Sequence, residues 1–373
     1  MKVGVPKEIK VHEYRVGLTP ESVREYVHHG HEVLVQTQAG AAIGAGDDAY
    51  RQAGATVLAD ARAVYDAAEL IVKVKEPQAA EIAMLRPRHL LFTYLHLAPD
   101  PQLARGLLES GCTAIAYETV AESDGTLPLL APMSEVAGRL SITIAGQLLM
   151  RDAGGAGLLL GGVTGVCPAR VLVLGAGVVG AQAVRMAAGA GAEVSVVDRS
   201  LARLRALDAQ LPGRIRTRPS TRAAIEEEIA TADVVIGAVL VAGASTPRLV
   251  TRAMLRTMKP RSVMVDVSID QGGCFETSRP TTHVAPTYEV DGIVHYCVAN
   301  MPGAVPRTSS HALNLATLPY GLALATQGVD ALRSDPALRA GLNVRAGQIT
   351  HPMVAQALGL PFVDPAIALQ RTA

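Results

Sequence analysis

Lys75, His96 and Asp270 each sit at or just beyond the end of a short apolar run. The runs are Leu70-Ile-Val-Lys-Val-Lys75, Leu90-Leu-Phe-Thr-Tyr-Leu95 before His96, and Ser262-Val-Met-Val-Asp266 ahead of Asp270. An ammonium, a titratable imidazole and a carboxylate can together hold an oxyanion, exchange a proton with it and activate water or ammonia. Such a set suits oxidation of a hydroxy acid or an amino acid. Arg15, in Glu13-Tyr-Arg-Val-Gly17, is an exposed-type residue of an early loop that can grip a carboxylate through a bidentate pair. Each also has a structural alternative. Lys75 can be a solvated strand end, His96 a cap before Pro99, Asp270 the first residue of an Asp-Gln-Gly-Gly turn, and Arg15 a surface residue.

A second constellation points to a dinucleotide. Val171-Leu-Val-Leu-Gly175-Ala-Gly177-Val-Val-Gly180 places a GxGxxG pattern between an apolar run and a helical one. The first glycine permits the tight turn, the second lets a pyrophosphate approach the backbone, and the third allows close helix-to-strand packing. The free amides of the helix N-terminus then face the phosphates. The following strand ends in Asp198, 18 residues beyond Gly180, where a carboxylate accepts hydrogen bonds from ribose hydroxyls. An acid there repels the extra phosphate of NADP, so NAD is the expected cofactor, although Arg199 and Arg203 temper that preference.

These residues require parallel strands to carry them, and the pattern supplies such strands twice. Lys2–Val5, Glu32–Gln36, Leu70–Lys75, Leu90–Leu95 and Thr113–Tyr117 read as strands, with Pro20–His29, Ala61–Ala68 and Asp100–Ser110 as helices. Val171–Leu174, Glu193–Val197, Val234–Leu240 and Ser262–Asp266 repeat the rhythm with helices over 178–188, 201–210, 222–231 and 251–258. Met133–Arg151 reads as a helix bridging two domains. Ser309–Gln327 reads as a helix without a sheet of its own, returning to the first domain. The expected fold is α/β: two doubly wound Rossmann-like domains with parallel sheets, linked by long helices around an interdomain cleft. Residues 1–132 with 302–373 form a discontinuous substrate-binding domain, and 133–301 the NAD-binding domain.

Length and composition agree. At 373 residues two domains are the better reading, with one large barrel as the alternative. With no Trp and three Phe, the core is aliphatic, as buried parallel strands require. Thirty-four basic residues balance 34 acidic ones, so no overall field favours nucleic acid or an anionic membrane. Partners are expected to be small molecules and copies of the same chain. Cys112, Cys167, Cys274 and Cys297 are widely spaced, and the histidines do not cluster at ligand spacing, so no metal is expected and a reducing cytoplasm fits best. No export signal is read at the N-terminus. The stretch Ala153–Ala169 approaches spanning length but holds six glycines and reads as a connection rather than a membrane span. His28, His29 and His31, at the end of a helix, are expected to face water.

With these residues in place, the chain resembles the alanine dehydrogenase family over nearly its whole length. The resemblance lies in Val3-Gly-Val-Pro-Lys-Glu-Ile-Lys10, Glu13-Tyr-Arg-Val-Gly-Leu-Thr-Pro20, Val72-Lys-Val-Lys-Glu-Pro77 and Phe92-Thr-Tyr-Leu-His-Leu-Ala98. It continues in Ala131-Pro-Met-Ser-Glu-Val-Ala-Gly138, Val265-Asp-Val-Ser-Ile-Asp-Gln-Gly-Gly273 and Val298-Ala-Asn-Met-Pro-Gly-Ala-Val-Pro306. It implies reversible oxidative deamination of L-alanine to pyruvate and ammonium with NAD as hydride acceptor, in a homo-oligomer that is hexameric in the family. It further implies that Arg15 and Lys75 hold the substrate carboxylate and carbonyl oxygen, His96 acts as general acid and base, and Asp270 orients and deprotonates water or ammonia. Met133 and Asn300 would line the substrate pocket. Around the nucleotide it implies Ser134, Val178, Asp198, Arg203, Ser220, Val239 and Leu240. Val267, Ser268, Ile269 and Asp270, with Val298, Ala299, Asn300 and Met301, would border the nicotinamide, and Arg279 would lie nearby. The alternative is the NAD-binding subunit of a proton-translocating transhydrogenase, which shares the fold. The joint presence of Lys75, His96 and Asp270 disfavours it, because hydride transfer between nucleotides needs no amino-acid pocket. Lysine-forming saccharopine dehydrogenases and a non-catalytic nucleotide-binding protein are further rivals.

Overall fold

Apolar runs bounded by helix-starting residues set the strand and helix order in the computed structural model, which describes residues 1–239 and 246–370. The chain separates into two units, Met1–Met133 with Val305–Ala373, and Ser134–Ala304. Six strands open the first: β1 (Lys2–Val5), β2 (Glu32–Gln36), β3 (Thr56–Leu58), β4 (Leu70–Val72), β5 (Leu90–Thr93) and β6 (Thr113–Ala116). The second holds β7 (Arg170–Leu174), β8 (Glu193–Asp198), β9 (Ile215–Pro219), β10 (Val234–Gly237), β11 (Val263–Asp266), β12 (Thr287–Val290) and β13 (Ile293–Tyr296). The tail returns β14 (Leu342–Arg345) and β15 (Gln348–Ile349) to the first sheet.

The first sheet runs β15-β14-β6-β5-β4-β1-β2-β3 and the second β12-β13-β11-β10-β7-β8-β9. Pairing is parallel through both sheet centres, for example Leu70–Val72 of β4 against Leu90–Phe92 of β5, and Val234–Gly237 of β10 against Val171–Leu174 of β7. Antiparallel pairing is confined to one edge of each sheet, at β12/β13 and at β14/β15 with β6. Central strands are apolar throughout because helices cover both faces. In the second sheet Val171 and Val173 join one core while Leu172 and Leu174 join the other, as the two-residue period of a strand requires.

Helices begin where a polar side chain satisfies an otherwise orphaned amide. Thr19, Asp60, Asp100, Ser200 and Thr221 each accept a backbone N–H from the first turn that follows, and Pro20 and Pro101 open their helices without losing a needed donor. The expected helix from Met133 begins earlier, spans Ala131–Leu148 and contains the boundary between the two units.

Several expectations are corrected. β4 stops at Val72 and β5 at Thr93, so Lys75 and His96 each lie three residues past the strand end, because the side chains of Glu8 and Glu118 take over as partners for the amides there. The helix expected over 251–258 is only Arg252–Leu255. Strands β9 and β12 were not anticipated; their inward and outward residues are both half-exposed, so neither carries an apolar run. Strands β3, β13, β14 and β15 were also missed. His31 does not face water: it is buried between the Met1 amino group and Thr326, 3.4 and 3.1 Å away, and burial lowers its pKa. Among the described residues no helix is long and apolar enough to cross a membrane.

Candidate active site

In the first unit, four carboxylates organise the segments that follow β4 and β5. Glu8 is buried and its Oε1 accepts the amides of Val74 at 2.6 Å and Lys75 at 3.3 Å. The other oxygen meets Lys73 Nζ at 3.1 Å, and Lys73 also reaches Glu81 at 2.7 Å. Burial opposes the charge on Lys73, but the two carboxylates outweigh it and raise its pKa. The ammonium below the strand is therefore structural, and it fixes the backbone from which Lys75 projects.

Glu76, the next residue, pairs through Oε1 with Lys10 and lies with Oε2 3.8 Å from His96 Nδ1. Burial alone would raise its pKa, yet His96, Lys75 and Lys10 together bring it down to about 2. His96 adopts a left-handed backbone at φ 49°. Its amide donates to Glu118 Oε1 at 2.6 Å, and the Leu95 amide donates to both Glu118 oxygens at 3.2 Å. The Tyr94 ring stacks on the imidazole with centroids 5.8 Å apart, while its hydroxyl donates to the Leu129 carbonyl at 2.6 Å. The His96 side chain stays 36% exposed, open to a ligand on one side.

Arg15 departs from its expectation. Rather than an exposed loop residue it is 2% exposed, because Glu13, two residues earlier, takes Nε at 2.7 Å and Nη2 at 2.5 Å. Burial would lower its pKa, but the bonds and charge of Glu13 raise it instead. Nη1 points at Met133 Sδ, 3.0 Å away. Tyr94 lies within the electrostatic reach of Arg15. Arg15 is thus linked to Met133 and Tyr94, Tyr94 to His96, His96 to Glu76 and Glu76 to Lys75, by contact or by charge, within this unit.

The second unit carries the glycine loop. Gly175 has φ 105°, and a Cβ there would strike the Ala238 carbonyl; one on Gly180 would strike the carbonyl of Gly175. Gly177 is different, for among the described residues the atom near its Cβ position is Arg203 Nη1 at 3.8 Å. It caps the helix Val178–Gly189 without a side-chain hydrogen bond, so the first amides of that twelve-residue helix receive no capping side chain. Turn, packing and open approach fall on the three glycines as a dinucleotide cradle requires. Asp198 ends β8, and its two oxygens accept the amides of Ala176 and Ser200, both at 2.6 Å, tying the acid to the glycine loop itself. The Ser220 amide donates to the Asp198 carbonyl at 3.0 Å.

Beyond β11, Ser268 donates to the Val239 carbonyl at 2.7 Å, joining two of the expected nucleotide segments; Leu240 lies outside the described residues. Asp270 stands exposed on the single turn Ile269–Gln271 with Val267 before it. Asn300 is left-handed at φ 64°, its carbonyl 3.2 Å from His283 Nε2, between half-buried Ala299 and buried Met301 and next to buried Val298. The Arg279 guanidinium covers the Tyr288 ring at 4.2 Å. Ser134 and Val178 are partly and largely exposed at the starts of their segments.

Glu8, Glu13, Glu76, Glu118, Tyr94 and Asp266 were not singled out from the sequence. Asp266 is fully buried and its carboxylate gathers the amides of Ser268 and Cys274, at 3.1 and 2.9 Å, with the Ser278 hydroxyl at 2.5 Å, shaping the loop that bears Asp270. Its signal was an acid closing an otherwise apolar strand. Glu118 follows β6 as His96 follows β5, so the strand-end rule, applied to one more strand, points to it.

Two mostly parallel sheets with helices on their faces, a glycine loop on one and a cation-rich carboxylate network on the other, define a protein built from two Rossmann-like α/β units. The chain belongs to the alanine dehydrogenase/PNT family, whose N-terminal domain model matches residues 4–137 and whose C-terminal domain model matches 141–352. It is 58% identical to an alanine dehydrogenase of Halomonas elongata over 98% of this chain and 99% of that one. A solved L-alanine dehydrogenase superposes with a TM-score of 0.94 at 51% identity, covering 96% of this chain and 99% of the other. A transhydrogenase from Sinorhizobium meliloti shares the fold more distantly, with a TM-score of 0.79 and 27% identity over 94% of this chain and 99% of the other.

Proposed function

We propose that this chain catalyses the reversible oxidative deamination of L-alanine to pyruvate and ammonium with NAD as cofactor. The observation that carries the reading is 58% identity to an alanine dehydrogenase along essentially the whole chain. Its support in the site is the network of Arg15, Lys75 and His96, which a protein that only exchanges hydride between nucleotides does not need. Distant likeness to the transhydrogenase, at 27% identity, makes that alternative the weaker one.

Family resemblance and the charge of each residue support the roles. Arg15 and Lys75 hold the substrate carboxylate and the oxygen that becomes the pyruvate carbonyl, and the family resemblance assigns Met133 and Asn300 to substrate binding. Bound nicotinamide supplies the acceptor for the Cα hydride. The Cα–H bond breaks as the nitrogen lone pair forms the iminium, so the amine must be neutral and turnover rises toward alkaline pH. Asp270 orients water and takes its proton as it adds to the iminium. His96 then exchanges a proton with the carbinolamine oxygen as ammonium leaves.

The nucleotide is assigned to the loop of Gly175, Gly177, Val178 and Gly180, with Ser134, Asp198, Arg203, Ser220, Val239 and Leu240 along the adenosine and phosphates. Val267, Ser268, Ile269, Asp270, Arg279, Val298, Ala299, Asn300 and Met301 complete it toward the nicotinamide. The Asp198 carboxylate favours NAD over NADP by repelling a second ribose phosphate. The functional assembly is a homo-oligomer, hexameric by family resemblance and resident in the cytoplasm. The four cysteines, all free, suit a reducing compartment.

Purified protein given NAD and L-alanine should form NADH, and glycine, serine and lysine should serve less well or not at all. Absence of NADH formation from alanine overturns the reading. His96→Ala should lose most turnover while retaining NAD binding, and sedimentation should report the subunit number.

A further inference from the structure

We propose that Glu76 is the positioning residue for His96, its Oε2 fixing the imidazole by accepting from Nδ1 so that Nε2 is the atom that exchanges a proton with substrate. The inference rests on the reading of His96 as the proton-exchanging group and deepens it.

The geometry is specific. Oε1 of Glu76 is engaged by Lys10, whereas Oε2 is buried and has no hydrogen-bond partner among the described residues. A buried carboxylate oxygen left in that state is costly, and the group facing it is the Nδ1 of His96 at 3.8 Å. Closure by about 1 Å converts the contact into a charge-assisted hydrogen bond of normal length, a tightening that bound substrate commonly brings to catalytic pairs. Glu76 is also charged throughout the working range, since its pKa is held down to about 2.

The other groups around the imidazole do not compete for this role. Glu118 spends its oxygens on the amides of Leu95 and His96, so it sets the backbone and not the ring. Tyr94 stacks on the ring, but its hydroxyl donates to the Leu129 carbonyl, and burial raises its pKa far beyond the working range. Lys10 and Lys75 are cations beside Glu76 and keep it ionised, and Arg15 acts on Tyr94. Glu76 is therefore the acid placed to stabilise the imidazolium. When Nε2 takes the proton of the carbinolamine hydroxyl, the Nδ1 proton stays in place and its bond to Oε2 becomes an ion pair. In the reverse direction Nε2 returns the proton to the substrate oxygen and the ring becomes neutral again.

The test is the pH profile of kcat/KM for alanine in Glu76→Gln and Glu76→Asp. Loss of the carboxylate should lower the apparent pKa of the acidic limb by about one unit. It should also reduce kcat by about tenfold or more, within the range that general acid–base catalysis supplies. Glu76→Asp, which keeps the charge, should recover the wild-type limb. An unchanged limb in Glu76→Gln overturns the proposal, as does an equal loss in both variants with the limb unmoved, since that is the mark of a structural role. If Glu76→Gln does not fold, nitrogen chemical shifts of His96 in the wild-type protein decide the question. Neutral imidazole protonated on Nδ1 is expected, and a dominant Nε2–H form overturns it. Should His96→Ala itself keep full turnover, the fault lies with the reading of His96 rather than with its partner.

Discussion

Glu118 Oε1 receives the backbone N–H of His96 at 2.6 Å, and this bond holds His96 in a left-handed conformation at φ 49°. Such a backbone costs an ordinary L-residue about 1–2 kcal/mol and is best tolerated by Asn, Asp and His. Part of the requirement for histidine at this position is therefore conformational, and it can be separated from the chemistry. His96→Asn should unfold in urea within about 0.5 kcal/mol of wild type while losing about 10² or more in kcat. His96→Val, β-branched, should lose about 1–2 kcal/mol as well as activity. Equal destabilisation of the two variants would count against a conformational role.

Glu76 makes the fold sensitive to acid. Its pKa is about 2 in the folded protein against an ordinary 4.5, so the folded state binds the proton less readily than the unfolded chain does. The resulting stabilisation is complete above pH 4.5 and is lost as pH falls through that value toward 2. The gap corresponds to about 3 kcal/mol at most. Wild-type protein should lose stability steeply over that window in urea titrations, and Glu76→Gln should lose less over the same interval. Parallel curves for the two proteins would refute the assignment.

Sequence pattern carried the strands through the sheet centres because those positions are apolar on both faces, and apolar runs such as Val171–Leu174 leave a plain signal. It failed at the edges and at the strands next to them, such as buried β13 and β14. Strands β9 and β12 are half-exposed, and β14 and β15 sit in a tail whose helical stretch dominates the local pattern. The glycine loop was legible because each glycine has a separate steric duty that composition displays. The carboxylate network was not. Glu118 meets His96 across 22 residues and Glu8 meets Val74 across 66, and no local spacing encodes such pairs. Arg15 reads from the sequence as an exposed-type loop residue, whether it grips a carboxylate or only faces water, because nothing in a Glu-Tyr-Arg triplet says that the two charges turn inward together.

Asp198 serves two ends at once. Its carboxylate binds the amides of Ala176 and Ser200, so removing it loosens the glycine loop as well as the expected grip on ribose. Asp198→Ala should weaken NAD binding and cost about 1–3 kcal/mol of stability, the penalty for amides left unpaired. It should also narrow the preference for NAD over NADP by about tenfold, because the repulsive charge is gone. Titration of both nucleotides against wild type and variant checks this, and an unchanged ratio would remove Asp198 from specificity.

Two of the loop glycines, Gly180 and Gly177, predict opposite outcomes for one small change. At Gly180 an added methyl meets the Gly175 carbonyl, a backbone atom that cannot step aside, so Gly180→Ala should destabilise by about 1–3 kcal/mol or more and bind nucleotide poorly for that reason. At Gly177 the backbone has φ −72° and ψ −166°, which any residue adopts, and the neighbouring atom is the flexible end of Arg203 at 3.8 Å. Gly177→Ala should therefore keep its stability to within about 1 kcal/mol. It should nevertheless lose about tenfold or more in NAD affinity, since the methyl occupies the space through which the pyrophosphate meets the backbone. Calorimetric unfolding beside NAD titration separates the two effects. A Gly177→Ala protein that binds NAD as well as wild type would place the pyrophosphate elsewhere.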